Sequence, residues 1–250
     1  ISTKVYDNLI ETVDKNLHHL HRYLKLRKKA LKLDELNMYD LYVPIVEKPK
    51  KDIPYEDALK QVENGLKPLG EEYLRYLNKG FTNGWIDVYE NEGKTSGAYS
   101  WGSYKTHPYV LLNYQGTVND VFTLAHEMGH ALHTFYTNKT QPYIYSEYKI
   151  FVAEVASTVN ESLLIKYMLN NTKDKLEKAY LLNHYLEQFR GTVFRQTMFA
   201  EFEKIIHGKY QNGEAITSET LSQIYFDLNK KYFEPVVKVD KDISIEWARI

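Results

Sequence analysis

The segment His126-Glu127-Met128-Gly129-His130 constrains the fold of this chain more than any other feature. Its two histidines are four residues apart, and on a helix such residues lie about 40° apart on one face, one turn above the other. Both imidazoles can then reach a single ion. Glu127 lies beside them, where its carboxylate can approach an ion-bound water without displacing it. The segment therefore predicts a helix that carries a metal site.

The residues on both sides of this segment also favour a helix. Apolar side chains recur at helical spacing over residues 118–125 and again over residues 131–135. This pattern predicts an amphipathic helix that starts near Asn119 or Asp120 and covers residues 119–137.

A third metal ligand is expected from another segment, because catalytic zinc usually takes three protein ligands and leaves one position open for water. Glu154 is the best candidate, since it lies in the mostly apolar run 151–157, where burial of an unpaired carboxylate is costly unless a cation compensates. A second helix that begins near Ser146 and returns antiparallel would bring Glu154 opposite the histidines. Glu161 shares that face, and we expect it to hydrogen-bond a ligand histidine and set its tautomer.

Other histidines and carboxylates are weaker candidates for ligands. His133 lies on the same helix face but is expected to be a packing histidine, and Glu147 lies in polar surroundings. Only His18 and His21 share a face in the histidine cluster near the N-terminus, and no partner carboxylate is evident there. We therefore expect one metal site.

The rest of the chain is predicted to be mainly α-helical with a small β-sheet. Residues 39–46 are expected to be extended and to lead into a charged loop over 47–52. The periodicity predicts helices over 3–32, from Pro54 or Tyr55 onward, over 68–79 with an end at Gly80, and over 119–137, 146–170, 174–207 and 217–232. Short strands are expected near residues 85–89, 97–101 and 109–113.

The β region matters because an extended peptide can be held against an exposed strand edge by hydrogen bonds that do not depend on side chains. Gly97-Ala98-Tyr99 is predicted to be that edge, since Gly97 permits a second backbone to approach closely; a glycine at a β-bulge is an equally good interpretation. His107 and Tyr109 are candidates to line the site, with an ordinary loop beside a strand as the alternative.

Composition excludes several classes of function. The chain carries 32 basic and 33 acidic residues, so no global field favours nucleic acid. A mean hydropathy of -0.51 and the lack of an apolar run of about 18 residues argue against a membrane partner. The absence of cysteine excludes disulfides and thiolate metal sites and is typical of a reducing compartment, so a cytoplasmic location is expected.

Several stretches resemble the oligoendopeptidase F branch of the thimet-oligopeptidase-like zinc metallopeptidases. The resemblance rests first on residues 126–133, 151–161 and 38–44. Further similar stretches are residues 96–100, 108–113, 194–202 and 246–250, so the resemblance spans nearly the whole chain.

This resemblance implies a helical, zincin-type catalytic region in which His126, His130 and Glu154 hold one Zn²⁺ ion and Glu127 activates water. The implied function is zinc-dependent endopeptidase activity on internal bonds of oligopeptides, which would be the partners of the site. Family members are longer, and a tyrosine-rich helical segment with a histidine follows their Glu-Trp-Ala-Arg stretch and supplies transition-state hydrogen bonds. We therefore expect residues 1–250 to be one partial catalytic domain, trimmed at both ends, with the zinc site within about residues 119–170 and with weak or no activity by itself.

Two other functions fit the same residues. The site could serve a zinc carboxypeptidase or dipeptidase, which would release products from chain ends. Alternatively, the chain could be a non-catalytic, zinc-stabilised module that binds peptide without cutting it.

Overall fold

A computed structural model describes residues 2–47, 49 and 52–249 of the chain. The chain forms two compact units, one built from Ile1–Glu47 together with Leu182–Ile250 and the other from Lys48–Leu181. The expectation that residues 1–250 form one partial catalytic domain stays a prediction.

The architecture is mainly α-helical with one small sheet, as the sequence predicts. No helix in the described part of the chain is both long enough and apolar enough to span a membrane. The strands are β1 (Ile86–Asp87), β2 (Tyr99–Trp101) and β3 (Tyr109–Leu111). The helices are α1 (Thr3–Lys15), α2 (Leu17–Ala30), α3 (Tyr55–Leu66), α4 (Glu71–Thr82), α5 (Val118–Thr140), α6 (Ala153–Asn171), α7 (Lys175–Gln188), α8 (Arg195–Gln211) and α9 (Ser218–Phe233).

The first predicted helix is wrong in one respect, because residues 3–32 form two helices and not one. Asn16 leaves the helical conformation, with φ −110° and ψ 11°, and its side-chain amide donates to the carbonyl of Thr12 at 2.8 Å. A side chain that hydrogen-bonds nearby backbone competes with the helix in this way. The spacing of apolar residues continues across Asn16 and therefore does not indicate this break.

The extended segment predicted over residues 39–46 is also wrong at its start. Met38–Tyr42 form a short 3₁₀ helix, since the Asp40 carboxylate accepts from the backbone N–H of Asn37 at 2.8 Å and closes the turn. The charged loop predicted after it lies partly outside the described residues, at positions 48, 50 and 51.

Three further helix predictions are wrong. Gly80 does not end α4 but lies inside it, where a Cβ atom would stand 2.6 Å from Cε of Met128. The helix predicted from Ser146 starts at Ala153, after the short 3₁₀ helices Tyr143–Tyr145 and Ile150–Val152. The helix predicted over 174–207 is interrupted by the π-helical turns of Phe189–Phe194.

The unit formed by residues 48–181 is organised around α5, which is buried on most of its surface. Leu124, Ala125, Met128 and Leu132 are fully buried, and α5 packs against α3, α4 and α6. The sheet has the strand order β1-β3-β2, with β1 parallel and β2 antiparallel to β3. Strand β2 therefore lies at an edge of this sheet, and it packs beside α5.

The other unit has its own apolar core, contributed mainly by α1, α2, α8 and α9. It also contains a buried arginine. Arg27 donates to the carbonyl of Asp40 at 3.1 Å and to Glu187 at 3.1 Å. These bonds fix the 3₁₀ helix of residues 38–42 against α2 and α7, and they offset the cost of burying a charge.

Candidate metal centre

The helix that carries the histidines begins at a well-defined cap. The hydroxyl of Thr117 accepts from the backbone N–H of Asp120 at 3.2 Å, and the Asp120 carboxylate accepts from the backbone N–H of Thr117 at 2.8 Å. This reciprocal pair satisfies backbone donors that have no partner within the helix. It fixes the residue at which α5 begins.

Three potential ligand atoms converge at the centre of the unit. His126 Nε2 and His130 Nε2 lie 3.1 Å apart, and Glu154 Oε2 lies 3.3 Å from each of them. A tetrahedral site with bonds of about 2.0–2.1 Å has ligand atoms roughly 3.3 Å apart. Among the described residues, no other group of three histidine, cysteine, aspartate or glutamate side chains comes close enough together to hold a metal ion. The spacing of the three ligand atoms therefore fits one zinc ion.

The orientation of His126 is set by Glu161, which lies two turns beyond Glu154 on α6. His126 Nδ1 lies 2.5 Å from Glu161 Oε1. An ionised carboxylate only accepts hydrogen bonds, so Nδ1 carries the proton and Nε2 presents its lone pair. Although burial lowers the pKa of His126, the hydrogen bond to Glu161 and the surrounding carboxylates raise it overall.

The ring of His130 is held differently, because it hydrogen-bonds the backbone of Ala153 at the start of α6. Burial and the neighbouring His126 lower the pKa of His130 below its ordinary value, although Glu154 opposes them. A neutral imidazole is the form that binds a metal.

Glu154 is positioned by its own helix. The hydroxyl of Ser157 donates to Glu154 Oε2 at 2.7 Å and to the Glu154 carbonyl at 3.0 Å. The helix itself comes very close to α5 at Gly129, where a Cβ atom would stand 2.7 Å from Cα of Ser157. The glycine of the motif thus allows α6 to approach until its carboxylate reaches both histidines.

The predicted burial of Glu154 is wrong. The apolar run around it was expected to bury the carboxylate, but the Glu154 side chain is 64% exposed, and Phe151 and Val155 are exposed as well. The run lies at the first turn of α6 and in the 3₁₀ helix before it, on the surface of the unit. Glu154 is near the histidines because of helix packing and not because of burial.

Glu127 faces the site from a buried position. It is 7% exposed, and its Oε2 atom has no hydrogen-bond partner. Burial raises the pKa of the Glu127 carboxyl, and Glu154 and Glu161 act in the same direction, while His126 opposes them. An unpaired buried carboxylate oxygen is costly, so its retention here fits a group that must accept a proton.

Asn160 and Tyr73 support the helix that carries the site, and neither was predicted from the sequence. The side-chain amide of Asn160 donates to the carbonyl of Ala125 at 2.9 Å, and its oxygen accepts from the hydroxyl of Tyr73 at 2.9 Å. Asn160 is fully buried. These bonds join α4, α5 and α6 directly behind His126. The only available signal was an Asn within the apolar pattern of α6.

The predicted peptide-binding strand runs alongside the metal site. At one end Gly97 and Thr123 line the same cavity, and at the other a Cβ atom on Gly102 would stand 3.0 Å from Thr134. The five extended residue steps from Gly97 to Gly102, at about 3.3 Å each, span roughly 16.5 Å. The eleven helical steps from Thr123 to Thr134, at about 1.5 Å each, span the same length. Residues 97–102 thus pass along α5 beside residues 126–130.

The individual β-region residues lie in different surroundings. Gly97 has φ +89°, and a Cβ atom added to it would meet no other atom within 4 Å, so its conformation favours glycine and the space beside it is open. Tyr99 and Tyr109 are about half exposed. His107 stacks on the buried Trp85, its ring centroid 5.7 Å away, and its Nδ1 lies 2.7 Å from the carbonyl of Pro108. His107 is therefore held both by Trp85 and by its own loop.

The two weaker ligand candidates lie outside the cluster. The ring of His133 stacks on Tyr148 with centroids 3.7 Å apart, and burial lowers the pKa of His133. Glu147 is exposed in the connection before α6. Neither belongs to the group of three ligands formed by the described residues.

Comparison with known proteins gives one consistent result. The model of peptidase family M3 matches residues 1–250. The chain is 56% identical over 250 residues to oligopeptidase PepF of Bacillus subtilis strain 168. The aligned region covers all of this chain and 37% of that protein. The chain is also 44% identical over 252 residues to an oligoendopeptidase F homolog of Borreliella burgdorferi, with coverage of 100% and 43%.

Solved structures agree in fold. A crystal structure from Chlamydophila abortus superimposes with a TM-score of 0.87 at 43% identity, covering 100% of this chain and 42% of that chain. The crystal structure of oligoendopeptidase-F from Enterococcus faecium gives a TM-score of 0.69 at 38% identity, with coverage of 100% and 37%. The chain thus spans about two fifths of the length of the relatives it matches.

Proposed function

Because the chain belongs to peptidase family M3, we propose that it binds one Zn²⁺ ion and hydrolyses internal peptide bonds of oligopeptides. The ligands are His126, His130 and Glu154. The observation that carries the proposal is the set of three ligand atoms 3.1–3.3 Å apart beside the buried, unpaired carboxylate oxygen of Glu127.

The donor set fits zinc chemically. Two imidazole nitrogens and one carboxylate oxygen are the ligands of many catalytic zinc sites, which keep a fourth position for water. Zinc held there would polarise the carbonyl of the bond to be cut and lower the pKa of water toward about 7. Without a cation, two nitrogen lone pairs and a carboxylate oxygen at this spacing would repel one another.

Glu127 acts as the proton carrier in this proposal. Its carboxylate takes a proton from the attacking water and then delivers that proton to the nitrogen of the departing amine. Burial raises the pKa of the Glu127 carboxyl, which makes its carboxylate a stronger base. Two neighbouring residues orient the ligands. Glu161 fixes the tautomer of His126, and the Ser157 hydroxyl fixes the position of the Glu154 carboxylate.

The peptide is held by the edge strand. Strand β2 lies at the edge of the sheet and packs beside α5, the helix that carries the two histidines. An extended peptide that pairs with Gly97-Ala98-Tyr99 therefore lies with its backbone next to the ligand cluster. Tyr109 is half exposed on the adjacent strand and contributes an apolar surface, whereas His107 supports that strand through its stacking on Trp85. The reaction takes place in a reducing, cytoplasmic compartment, as the lack of cysteine favours.

The experiment that tests the proposal measures zinc content and peptide cleavage in the same samples. The substrate is an internally quenched oligopeptide blocked at both ends, because a carboxypeptidase or dipeptidase cannot process it. High protein concentration allows detection of slow turnover. We expect one zinc per chain and internal cleavage.

Three variants separate the roles of the carboxylates. Glu127→Gln should keep zinc and lose turnover by several orders of magnitude, because it removes the base and no ligand. Glu154→Ala should lose zinc. Glu147→Gln is the matched control, and it should change neither quantity. Cleavage by Glu127→Gln at the wild-type rate, or full zinc occupancy in Glu154→Ala, would refute the corresponding role. Peptide binding with zinc but without cleavage in any sample would instead identify a binding module.

A further inference from the structure

A cavity of about 280 Å³ opens beside the first turns of α5. Asn119, Asp120 and Thr123 of α5 form one wall, while Gly97-Ala98 before β2 and Asn113 after β3 belong to the opposite side. The lining contains one carboxylate and several amide and hydroxyl groups, and no basic side chain takes part in it among the described residues.

The cavity lies on the face of α5 that carries the ligand cluster. At about 100° per residue, Asn119 and Thr123 project between the directions of His126 and Glu127. Along the helix axis they precede His126 by about 10.5 Å and 4.5 Å, at 1.5 Å per residue. An extended peptide advances about 3.3 Å per residue. A peptide beside β2 would therefore place a side chain one to three residues from the reacting bond at this cavity.

Two of the side chains that line the cavity, Thr123 and Asn113, have already used their donors. The Thr123 hydroxyl donates its hydrogen bond to the carbonyl of Asn119 at 3.1 Å. The amide of Asn113 donates to the carbonyls of Thr95 and Gly97 at 3.0 Å and 2.8 Å. What remains on these two side chains is the oxygen lone pairs.

Asp120 adds negative charge to this acceptor set. Its Oδ2 atom accepts from the backbone N–H groups of Thr117 and Gln115 at 2.8 Å and 3.2 Å, and the residue itself lines the cavity. The positive end of the helix dipole would by itself disfavour a cation here. The Thr117 hydroxyl already accepts from a backbone N–H at that end of the helix, so Asp120, Asn113 and Thr123 together present acceptors and a negative charge to a ligand, beside the amide groups of Gln115 and Asn119.

We propose that this cavity is a subsite for the lysine or arginine side chain of a peptide substrate, one to three residues from the bond that is cut. The proposal rests on the proposed peptidase function, since it takes the peptide to lie along β2. An ammonium or guanidinium group supplies only donors and a positive charge, and so it complements Asp120, Asn113 and Thr123. A carboxylate side chain meets repulsion at the same place.

The test measures peptide binding by the zinc-loaded chain carrying Glu127→Gln, so that cleavage does not disturb the equilibrium. A series of end-blocked, fluorophore-labelled alanine peptides carries lysine at one position at a time. Norleucine, which has nearly the same length without the charge, and glutamate replace lysine in the matched peptides. Fluorescence anisotropy gives the dissociation constants. We expect lysine to bind roughly three- to tenfold more tightly than norleucine at one position only, and glutamate more weakly than both.

Two further substitutions assign that preference to the cavity. Asp120→Asn keeps an oxygen for the backbone N–H groups but removes the charge, and it should abolish the preference for lysine. Thr117→Ala weakens the same helix cap without touching the cavity wall, and it should leave the preference intact. Equal affinities for lysine and norleucine at every position would overturn the proposal, as would a lysine preference that survives Asp120→Asn.

The failure of this proposal is distinguishable from the failure of the proposed function. The wild-type chain is assayed in parallel with the end-blocked quenched peptide. Cleavage without any charge preference would leave a peptidase and remove the subsite. A localised lysine preference without cleavage would leave the subsite and remove the peptidase activity. No binding of any peptide would overturn the subsite directly.

Discussion

Replacement of Gly129 by alanine tests whether the close approach of α5 and α6 builds the metal site. A Cβ atom at this position would stand 2.7 Å from Cα of Ser157, 2.8 Å from its nitrogen and 2.9 Å from the carbonyl carbon of Ala156. All three atoms are backbone, so no side-chain rotation can make room. Ordinary carbon contacts are about 3.5–4.0 Å, and α6 must therefore move by about 1 Å.

This movement is large compared with the tolerance of a metal site. Glu154 Oε2 lies 3.3 Å from both ligand nitrogens, and metal–ligand distances are held within about 0.2 Å. We expect zinc affinity to fall roughly 10- to 100-fold, the range seen when groups that position ligands are removed. Overpacking costs about 1–3 kcal/mol of unfolding free energy, of which the better helix propensity of alanine offsets up to about 1 kcal/mol.

The assay is competition for zinc against a chelator, combined with urea unfolding of the zinc-free chain. Gly208→Ala is the matched control, because Gly208 also lies within a helix but has no atom within 4 Å of its Cβ position. It should leave zinc affinity unchanged and stabilise the chain by about 0.5–1 kcal/mol. Wild-type zinc affinity together with wild-type stability in Gly129→Ala would refute the argument that this glycine sets the helix separation.

The remaining predictions concern groups that support the site or the fold. Glu161→Gln leaves the tautomer of His126 unfixed and should lower zinc affinity about tenfold, measured by the same chelator competition; unchanged affinity would exclude a positioning role. Asn160→Ala removes a buried hydrogen-bonding group between helices and should cost about 2 kcal/mol in urea unfolding, and a change below about 0.5 kcal/mol would contradict this. The pKa of Glu187 is raised by burial but lowered overall by its hydrogen bond with Arg190. The pKa of Glu187 is thus lower in the folded than in the unfolded chain. Ionised Glu187 therefore stabilises the folded state above about pH 4.5, and this contribution is lost as the pH falls through the folded-state pKa. Glu187→Gln should flatten the acid side of the profile of unfolding free energy against pH.

Several features of the candidate site depend only on local sequence and were predictable. His126 and His130 share a face because a helix places residues four apart on one side, whatever surrounds it. The helix itself follows from its apolar spacing, which predicted a start near Asn119 or Asp120, one or two residues after the observed start at Val118. The three strands occur close to their predicted positions for the same reason, since alternation and flanking glycines are local signals.

Other features depend on what packs against each segment. The start of α6 lies seven residues later than its pattern predicted, because short 3₁₀ helices at residues 143–145 and 150–152 precede it. Gly80 resembles a helix end in the sequence but lies in the interior of α4, where Trp85 and Met128 need the space. Local propensity is a weak prior that such contacts override.

The sequence by itself determined which helix carries the histidines, which face they occupy and which carboxylates are available to them. Only the tertiary structure decided how Glu154 reaches them, through an exposed position on α6 and the close helix contact at Gly129. It also decided that Asn160 would link three helices behind the site. The physical reason is that helical periodicity acts over a few residues, whereas the separation of two helices depends on side-chain volumes that no periodicity records.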